Sequence, residues 1–400
     1  MTATTQDVWY RMTPLELASG TVRGIDATVA PLPTAPAGLT TRAALEDVML
    51  RVLQRPPCIV SFSGGRDSSA VLALATHVAR REGLPLPVPV SVRFRSCASA
   101  DEDSWQELVI GHLGIADWIH LVFDDELDNI GPYSRAVMER HGLLWPSNAH
   151  FHLPIVEQAP GGTLLTGFGG DEMLETPMLW RRVNQVLARQ IPLACRDLPR
   201  LAVAYGPAPM RRAALRRRLG DVAPLPWLRP GARRQLATAI IRDIAAEPVR
   251  WDASTDIGWW RRRYRRVVET SLQCVADVHG VAVSHPLADE MVLAAMAREG
   301  GRTGFTDRSA AMEHVVGDLL PERLTARPSK AVLTGVFWNR YSTEFAGRWD
   351  GAGVDPDIVD VDFLRQMWTA ADRPPDGRTS SLLRSAWLAS RSGPDAATAS

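Results

Sequence analysis

Short apolar runs alternate with amphipathic segments over the first half of the chain. The apolar runs predict strands at 59–62, 90–94, 119–123 and 163–166. Segments with one apolar face predict helices at 41–53, 69–81, 103–113 and 131–141. Strands that alternate with helices are typical of a parallel sheet covered on both faces, so we expect an α/β fold.

The second half of the chain has a different pattern. After Leu179 no segment predicts a strand, and we expect a mainly helical lobe over residues 180–345. The chain then divides into a peripheral N-terminal segment (1–45), an α/β core (46–179), the helical lobe (180–345) and a C-terminal extension (346–400). The polar residues beyond Ser390 are expected to be disordered.

A glycine turn follows the first predicted strand. The apolar run at 59–62 breaks at Ser63-Gly64-Gly65, and Asp67 and Ser68 stand at the start of the next helix. Consecutive backbone N–H groups, the missing Cβ atoms and the positive end of a helix together indicate a phosphate site. The alternative is an ordinary strand-turn-helix unit with incidental serines.

A second glycine turn follows the fourth predicted strand and reads Gly167-Phe168-Gly169-Gly170-Asp171-Glu172. Because the carboxyl ends of parallel strands meet at one edge of the sheet, we expect the two turns to converge. A carboxylate beside a phosphate site needs a cation between them, so Asp67 and Asp171 predict a Mg²⁺ site. Taken without the first turn, Asp171-Glu172 would be an acidic pair at a helix N-terminus.

The basic residues are almost all arginine. Of 45 lysines and arginines only Lys330 is lysine, which suggests a role that needs a compact ammonium; chance survival is the alternative. Because Lys330 lies in Pro328-Ser329-Lys330-Ala331, the chain has no Gly-Lys-Ser/Thr loop and is not a P-loop kinase or GTPase.

The formal net charge of zero hides a basic region. Residues 180–266 contain 20 arginines and six acids. Such a region is typical either of solvated helix faces paired with acids elsewhere or of a docking site for something anionic, and both interpretations remain open.

Cysteine usage and hydropathy narrow the class of protein. The four cysteines are scattered and are expected to be reduced and structural, without a zinc or iron–sulfur site. No window is apolar enough for a membrane span, and the N-terminus lacks the pattern of a signal peptide, so we expect a cytoplasmic protein.

Five motifs occur in the order found in the synthetase domain of the asparagine synthetase family, within the ATP pyrophosphatase (PP-loop) superfamily, and the chain resembles that domain over about residues 45–345. They are the two glycine turns, the helix start at Asp101-Glu102-Asp103, the segment 284–289 and the segment 327–330. The resemblance implies an adenine nucleotide α-hydrolase-like fold with ATP and Mg²⁺ as cofactors.

The resemblance also implies roles for individual residues. Ser63, Gly64, Gly65, Asp67 and Ser68 would hold pyrophosphate, and Asp67 and Asp171 would bind Mg²⁺. The backbone of Val92 would hold adenine, and Gly167 belongs to the nucleotide site. The late lysine of the family, which contacts the phosphates and the reacting centre, falls on Lys330.

The chain departs from the family at several positions, including residues 281–286, where the family's charged pattern has become Val281-Ala282-Val283-Ser284-His285-Pro286. Position 2 is Thr where the glutaminase domain of the family has Cys, so we expect no ammonia from glutamine. Phe168 replaces the Glu or Tyr that the family places between the glycines of the second turn, and phenylalanine moves no proton. Arg66 replaces an apolar residue of the first loop, and its contacts with phosphate or solvent are left open.

These features favour an ATP-dependent ligase that adenylates a carboxylate and passes the acyl group to an amine, as in the lasso-peptide cyclases and β-lactam synthetases that the chain resembles. The carboxylate partner could be part of an acidic peptide or a carrier-bound group, whereas nucleic acid and membrane partners are not expected. The alternatives are an ammonia-dependent amidotransferase similar to asparagine synthetase, and a degenerate nucleotide-binding subunit. The sequence does not indicate an oligomeric state.

Overall fold

The structure is a computed structural model, which describes residues 11–95, 97, 100–174, 179–327, 334–370 and 374–391. A five-stranded sheet, parallel throughout, lies at the centre of this described part of the chain. The strands are β1 (Cys58–Ser61), β2 (Val88–Phe94), β3 (Ile119–Phe123), β4 (Thr163–Leu165) and β5 (Ala282–Ser284). Their order is β3-β2-β1-β4-β5, so the chain changes direction at β1 and opens a crevice between the ends of β1 and β4.

The helices surround this sheet and form the rest of the described molecule. In chain order they are α1 (Pro14–Ser19), α2 (Thr41–Leu53), α3 (Arg66–Glu82), α4 (Asp103–Leu113), α5 (Pro132–His141), α6 (Leu153–Val156), α7 (Gly170–Leu174), α8 (Arg181–Leu187), α9 (Leu198–Tyr205), α10 (Ala208–Leu219), α11 (Pro230–Ala246), α12 (Trp251–Ser254), α13 (Arg263–Asp277), α14 (Glu290–Gly300), α15 (Arg308–Val316), α16 (Glu322–Thr325), α17 (Thr334–Phe337), α18 (Arg340–Arg348), α19 (Val361–Trp368) and α20 (Ser380–Arg391). Among the described residues no helix is both long and apolar enough to cross a membrane.

Two apolar clusters cover the two faces of the sheet. Side chains alternate along each strand, so Val60 and Leu165 pack into one cluster with α2, α3 and α14. Ile59 and Leu164 pack into the other cluster with α13. Both faces of the central strands are therefore buried, as expected for a parallel sheet, and the α/β fold class is confirmed.

A further apolar cluster joins the beginning of the described chain to its end. It includes Ala18 of α1 together with Trp227, Trp368 and Trp387. The indole of Trp227 donates to the carbonyl of Ala18 at 2.8 Å, which ties α1 to the segment before α11.

The predicted elements of the first half agree with the structure to within three residues at each end. The prediction that no strand follows Leu179 is wrong, because β5 pairs with β4 at the edge of the sheet. β5 has only three residues, and none of them is fully buried. A strand this short leaves too little alternation to be recognised in a sequence.

Candidate active site

The first glycine turn leads from β1 into α3. Gly65 is the N-cap residue of α3, in an extended conformation, and makes no side-chain hydrogen bond to the helix. Ser68 Oγ accepts from the backbone N–H of Ser63 at 3.2 Å, and the two hydroxyl oxygens lie 3.1 Å apart. The loop is thus closed on itself around a helix N-terminus, the arrangement that favours an anion.

Gly64 has a positive φ of 77°, which L side chains rarely adopt. A Cβ there would also lie 2.8 Å from Cγ of Gln106 in α4. The amide of Gln106 donates to the carbonyl of Ser63 at 3.4 Å, so α4 supports the loop from behind. The conformation of the turn therefore depends on glycine at this position.

The second glycine turn packs directly on the first. A Cβ on Gly167 would lie 2.8 Å from the backbone nitrogen of Ser68. A Cβ on Gly170 would lie only 2.3 Å from Cγ of Asp67. The two turns converge at the carboxyl edge of the sheet, and they approach so closely that side chains are excluded between them.

Arg308, the first residue of α15, lies between Asp67 and Asp171. One guanidinium nitrogen meets Oδ1 of Asp67 and the other meets Oδ1 of Asp171, both at 2.5 Å. Burial acts to lower the pKa of Arg308, but the two carboxylates outweigh it and raise that pKa. The structure brings Asp67 and Asp171 to one point, where a guanidinium neutralises them.

The same two carboxylates are the protein groups that could hold Mg²⁺. Within the described ranges no group of three or more His, Cys, Asp or Glu side chains could hold a metal ion. Mg²⁺ commonly takes only one or two protein carboxylates and completes its shell with phosphate oxygens and water. Asp67 and Asp171 therefore fit Mg²⁺ when a phosphate group is also present, and Arg308 supplies positive charge at the same point.

A cavity of about 390 Å³ opens beside the two turns and is large enough for a small ligand. Arg66 and Val92 lie on its lining. Val92 pairs with Leu121 of β3, whereas the pairing of β2 with β1 ends at Val90. On the side of β1, the backbone of Val92 therefore has no strand partner among the described residues. Val92 thus offers backbone hydrogen-bonding groups to a ligand in the cavity.

Phe168 forms part of an apolar wall of this cavity. Its ring packs edge-on against Trp259 at 5.5 Å and against His285 at 5.2 Å between centroids. Burial lowers the pKa of His285 to about 3, and Nδ1 of this histidine lies 2.6 Å from the hydroxyl oxygen of Thr166. Near neutral pH, His285 is a neutral group that supports the second turn.

Glu172, which follows Asp171 in the chain, forms a hydrogen-bonded pair with Tyr264. The hydroxyl of Tyr264 donates to Oε1 of Glu172 at 2.9 Å. Burial raises the pKa of Glu172, and the charges of Asp171 and Asp67 raise it further. Burial, followed by Glu172, also raises the pKa of Tyr264, so its hydroxyl remains protonated.

Lys330 lies outside the described residues. Arg327, three positions earlier, is described and buried against the first turn. It donates to the carbonyl of Gly64 at 3.1 Å and to Oε1 of Glu102 at 2.6 Å, and its guanidinium lies 4.6 Å from the ring centre of Trp105. The described segment that ends at Arg327 is therefore anchored at the phosphate loop.

The sequence analysis assigned no role to two site residues, Arg308 and Arg327. Asp307 caps α15, so Arg308 stands at the positive end of a helix, where a cation is unfavourable without an anionic partner. The unfavourable position of Arg308 was a signal from which an anionic partner could have been inferred. Arg327 belongs to the segment 327–330 that the sequence analysis singled out, but its own contacts could not be inferred, because its partners are more than 200 residues away in the sequence.

Comparison with protein families gives one match to the chain. A family model described as asparagine synthase matches residues 40–389. A search of curated proteins found no match. The matched range includes both glycine turns, Arg308 and the cavity lining.

Proposed function

Because the chain belongs to the asparagine synthase family of ATP-dependent amide-forming ligases, we propose that it adenylates a substrate carboxylate and transfers the acyl group to an amine. The products of the first step are the acyl adenylate and pyrophosphate, and the amine then displaces AMP. We further propose that the substrate is a peptide or natural-product precursor, as for a macrocyclase. The observation that carries the proposal is the close approach of the two glycine turns at the N-terminus of α3.

The phosphate loop supports cleavage between the α and β phosphates. The N–H groups at the start of α3 and the hydroxyls of Ser63 and Ser68 can bind the β and γ phosphates as one leaving group. Val92 offers backbone groups for the adenine at the other side of the cavity. The α phosphate would then lie between these two anchors, exposed to the carboxylate.

Charge neutralisation in this site falls to a small set of groups. Mg²⁺ bound by Asp67, Asp171 and phosphate oxygens would supply the positive charge that the departing pyrophosphate requires. Arg308 holds both carboxylates in position and adds a permanent positive charge. We assign Lys330 to the reacting centre, where a compact ammonium can stabilise both the pyrophosphate and the oxyanion formed by amine attack.

The second step needs little help from a protein base. An acyl adenylate is already activated, so an amine held beside it reacts largely through proximity. Phe168, which packs on the buried Trp259, supplies an apolar part of the cavity wall that limits water, which would otherwise hydrolyse the adenylate. The absence of a proton-transferring side chain at position 168 is compatible with aminolysis for this reason.

Phe168 also favours the second candidate function, a nucleotide-binding subunit without catalysis. Exchange of radiolabelled pyrophosphate into ATP distinguishes the two, with candidate carboxylates that include peptides encoded beside the gene. We expect exchange that depends on one class of carboxylate and is lost in Asp67→Asn. Binding of Mg-ATP without exchange for any carboxylate would favour the noncatalytic subunit.

A further inference from the structure

Two groups of arginines within the basic region of the sequence differ in their ion pairs, and Arg229, Arg233, Arg234 and Arg242 lie between these groups. Arginines between 250 and 266 each pair with an acid; they are Arg250, Arg261, Arg262, Arg263, Arg265 and Arg266. Several exposed arginines of α8–α10 and of their connecting loops form no such ion pair. Six of them have no ion-pair partner among the described residues: Arg189, Arg196, Arg212, Arg216, Arg217 and Arg218.

We call residues 181–219, which comprise α8, α9, α10 and their loops, the basic module. It contains ten arginines and a single acid, Asp197. That carboxylate is buried and already bound by both Arg182 and Arg200. The module therefore has no acid of its own with which to neutralise its outer surface.

The same surface exposes an unusual number of apolar side chains. Six of the eleven exposed large apolar side chains in the described part of the chain belong to the module: Leu187, Leu193, Leu198, Tyr205, Met210 and Leu219. Leu193, Leu198 and Tyr205 are 57%, 55% and 59% exposed. This concentration of exposed apolar side chains in one segment of the chain favours a surface that contacts another molecule.

The module is joined to the rim of the nucleotide site. The guanidinium of Arg181 donates to the carbonyl of Thr306 at 2.5 Å, two residues before Arg308. α8 itself begins ten residues after Asp171 in the sequence. The N-terminal end of the module therefore contacts the segment that leads to Arg308.

We propose that the basic module binds an acidic peptide segment with apolar side chains, located in the substrate outside the residue that is adenylated. This inference rests on the proposed ligase function, because it names how such a substrate is held. Arginines would pair with the carboxylates of the segment, and Leu193, Leu198 and Tyr205 would contact its apolar side chains.

Two other classes of partner fit the module less well. Nucleic acid would use the arginines but would leave the aliphatic side chains without a partner, and the chain as a whole has a pI of about 7.1. A helix that lies on a membrane separates charged from apolar residues on opposite faces. α10 does not do so, since Arg216, Arg217 and Arg218 cover successive directions around the helix beside Leu219.

The test measures fluorescence anisotropy of a fluorescein-labelled peptide of alternating Glu and Leu, titrated with the full-length protein. We expect saturable binding to the wild type that weakens at least about tenfold in Arg216→Glu/Arg217→Glu. The matched control is Arg140→Glu/Arg348→Glu, which makes the same change in net charge at two exposed, unpaired arginines elsewhere. This control should bind within about twofold of the wild type.

A second variant tests the apolar part of the surface. Leu193→Ser/Leu198→Ser removes two exposed side chains without opening a core, and it should weaken binding several-fold at unchanged charge. A labelled peptide of alternating Glu and Ser should also bind the wild type several-fold more weakly than the Glu–Leu peptide does. Equal affinity for both peptides would contradict the proposal, because charge alone would then explain the binding.

Further outcomes also overturn the inference. One is that the wild type does not bind the Glu–Leu peptide, and another is that the two charge variants lose affinity equally. A third is that single-stranded RNA or anionic vesicles displace the peptide at lower concentration than the unlabelled peptide does. A fourth is a concentration-dependent dimer that the Arg216→Glu/Arg217→Glu change abolishes. Pyrophosphate exchange measured on the same preparations separates the two proposals. Exchange without peptide binding refutes only the docking surface, whereas peptide binding without exchange refutes only the ligase function.

Discussion

At the scale of single residues, the site depends on charges brought together from distant parts of the chain. Asp67, Asp171 and Arg308 come from three elements and meet within hydrogen-bond distance. Each of the two acids could be identified from its place after a glycine turn, because such turns converge in a parallel sheet. Arg308 could not be placed between them, since no pattern in the sequence specifies a contact across 241 residues.

Replacing Asp171 tests whether this carboxylate acts on the nucleotide. We expect Asp171→Asn to abolish adenylation, because it removes a charge that Mg²⁺ and Arg308 both use. Stability should change little, since the side chain of Asp171 is 46% exposed. Thermal unfolding and pyrophosphate exchange measure the two effects. Asp47→Asn, at an exposed acid paired only with Arg51, is the control, and an active Asp171→Asn enzyme would reduce Asp171 to a helix-start acid.

Replacing Lys330 tests the role assigned to the only lysine in the sequence. Lys330→Arg retains the charge but spreads it over a broader planar group, so it should misplace charge at the reacting phosphate. We expect a loss of about 100-fold or more in kcat with a much smaller effect on ATP binding. Lys330→Ala should lower kcat further than Lys330→Arg does. Near-wild-type turnover by Lys330→Arg would show that a specific ammonium is not needed.

At the scale of elements, the two glycine turns form one unit with the start of α3. The sequence predicted the strands and helices around them, because their apolar patterns are long enough to reveal period and boundaries. The pattern could not reveal how closely the turns approach. That distance follows from the packing of β1 against β4, in which Cys58, Ile59 and Val60 pair with Thr163, Leu164 and Leu165.

Gly170→Ala tests this close approach. The added Cβ would lie 2.3 Å from Cγ of Asp67, so the turns must move apart and Asp67 must shift. We expect Mg-ATP affinity to fall at least about tenfold, the scale of 1–3 kcal/mol that overpacking costs. Calorimetric titration measures this affinity. Gly111→Ala in α4, where a Cβ meets nothing within 4 Å, should bind ATP normally, and equal affinity in both variants would contradict the packing argument.

At the scale of the whole molecule, stability should depend on pH through the buried His150 and the half-buried His152 and His285. Burial lowers the pKa of His152 to about 4 and that of His285 to about 3. Burial also lowers the pKa of His150 well below its usual value, and the neighbouring charge of Arg384 adds to this effect. A guanidinium nitrogen of Arg384 lies 2.7 Å from Nδ1 of His150 and can donate a hydrogen bond to it. Protonation of Nδ1 would break this hydrogen bond.

The direction of the pH effect follows from these shifts. Below pH 6.5 the unfolded chain binds protons at these histidines while the folded chain does not, so acidification favours unfolding. The contribution of these histidines to the free energy of unfolding is fully present above pH 6.5. It decreases as the pH falls toward 4, by up to about 1.4 kcal/mol per pH unit for each histidine. We therefore expect the melting temperature to fall between pH 6.5 and 5. The exposed-site variant His112→Gln should show the same decline, and a flat profile would contradict the account.

The central claim is that ATP is cleaved between its α and β phosphates, because the first loop holds the outer two phosphates as one leaving group. The most direct measurement is phosphorus NMR of the products formed from Mg-ATP, the active carboxylate and an amine. The account predicts AMP and pyrophosphate in amounts equal to the amide formed. ADP and orthophosphate would contradict it.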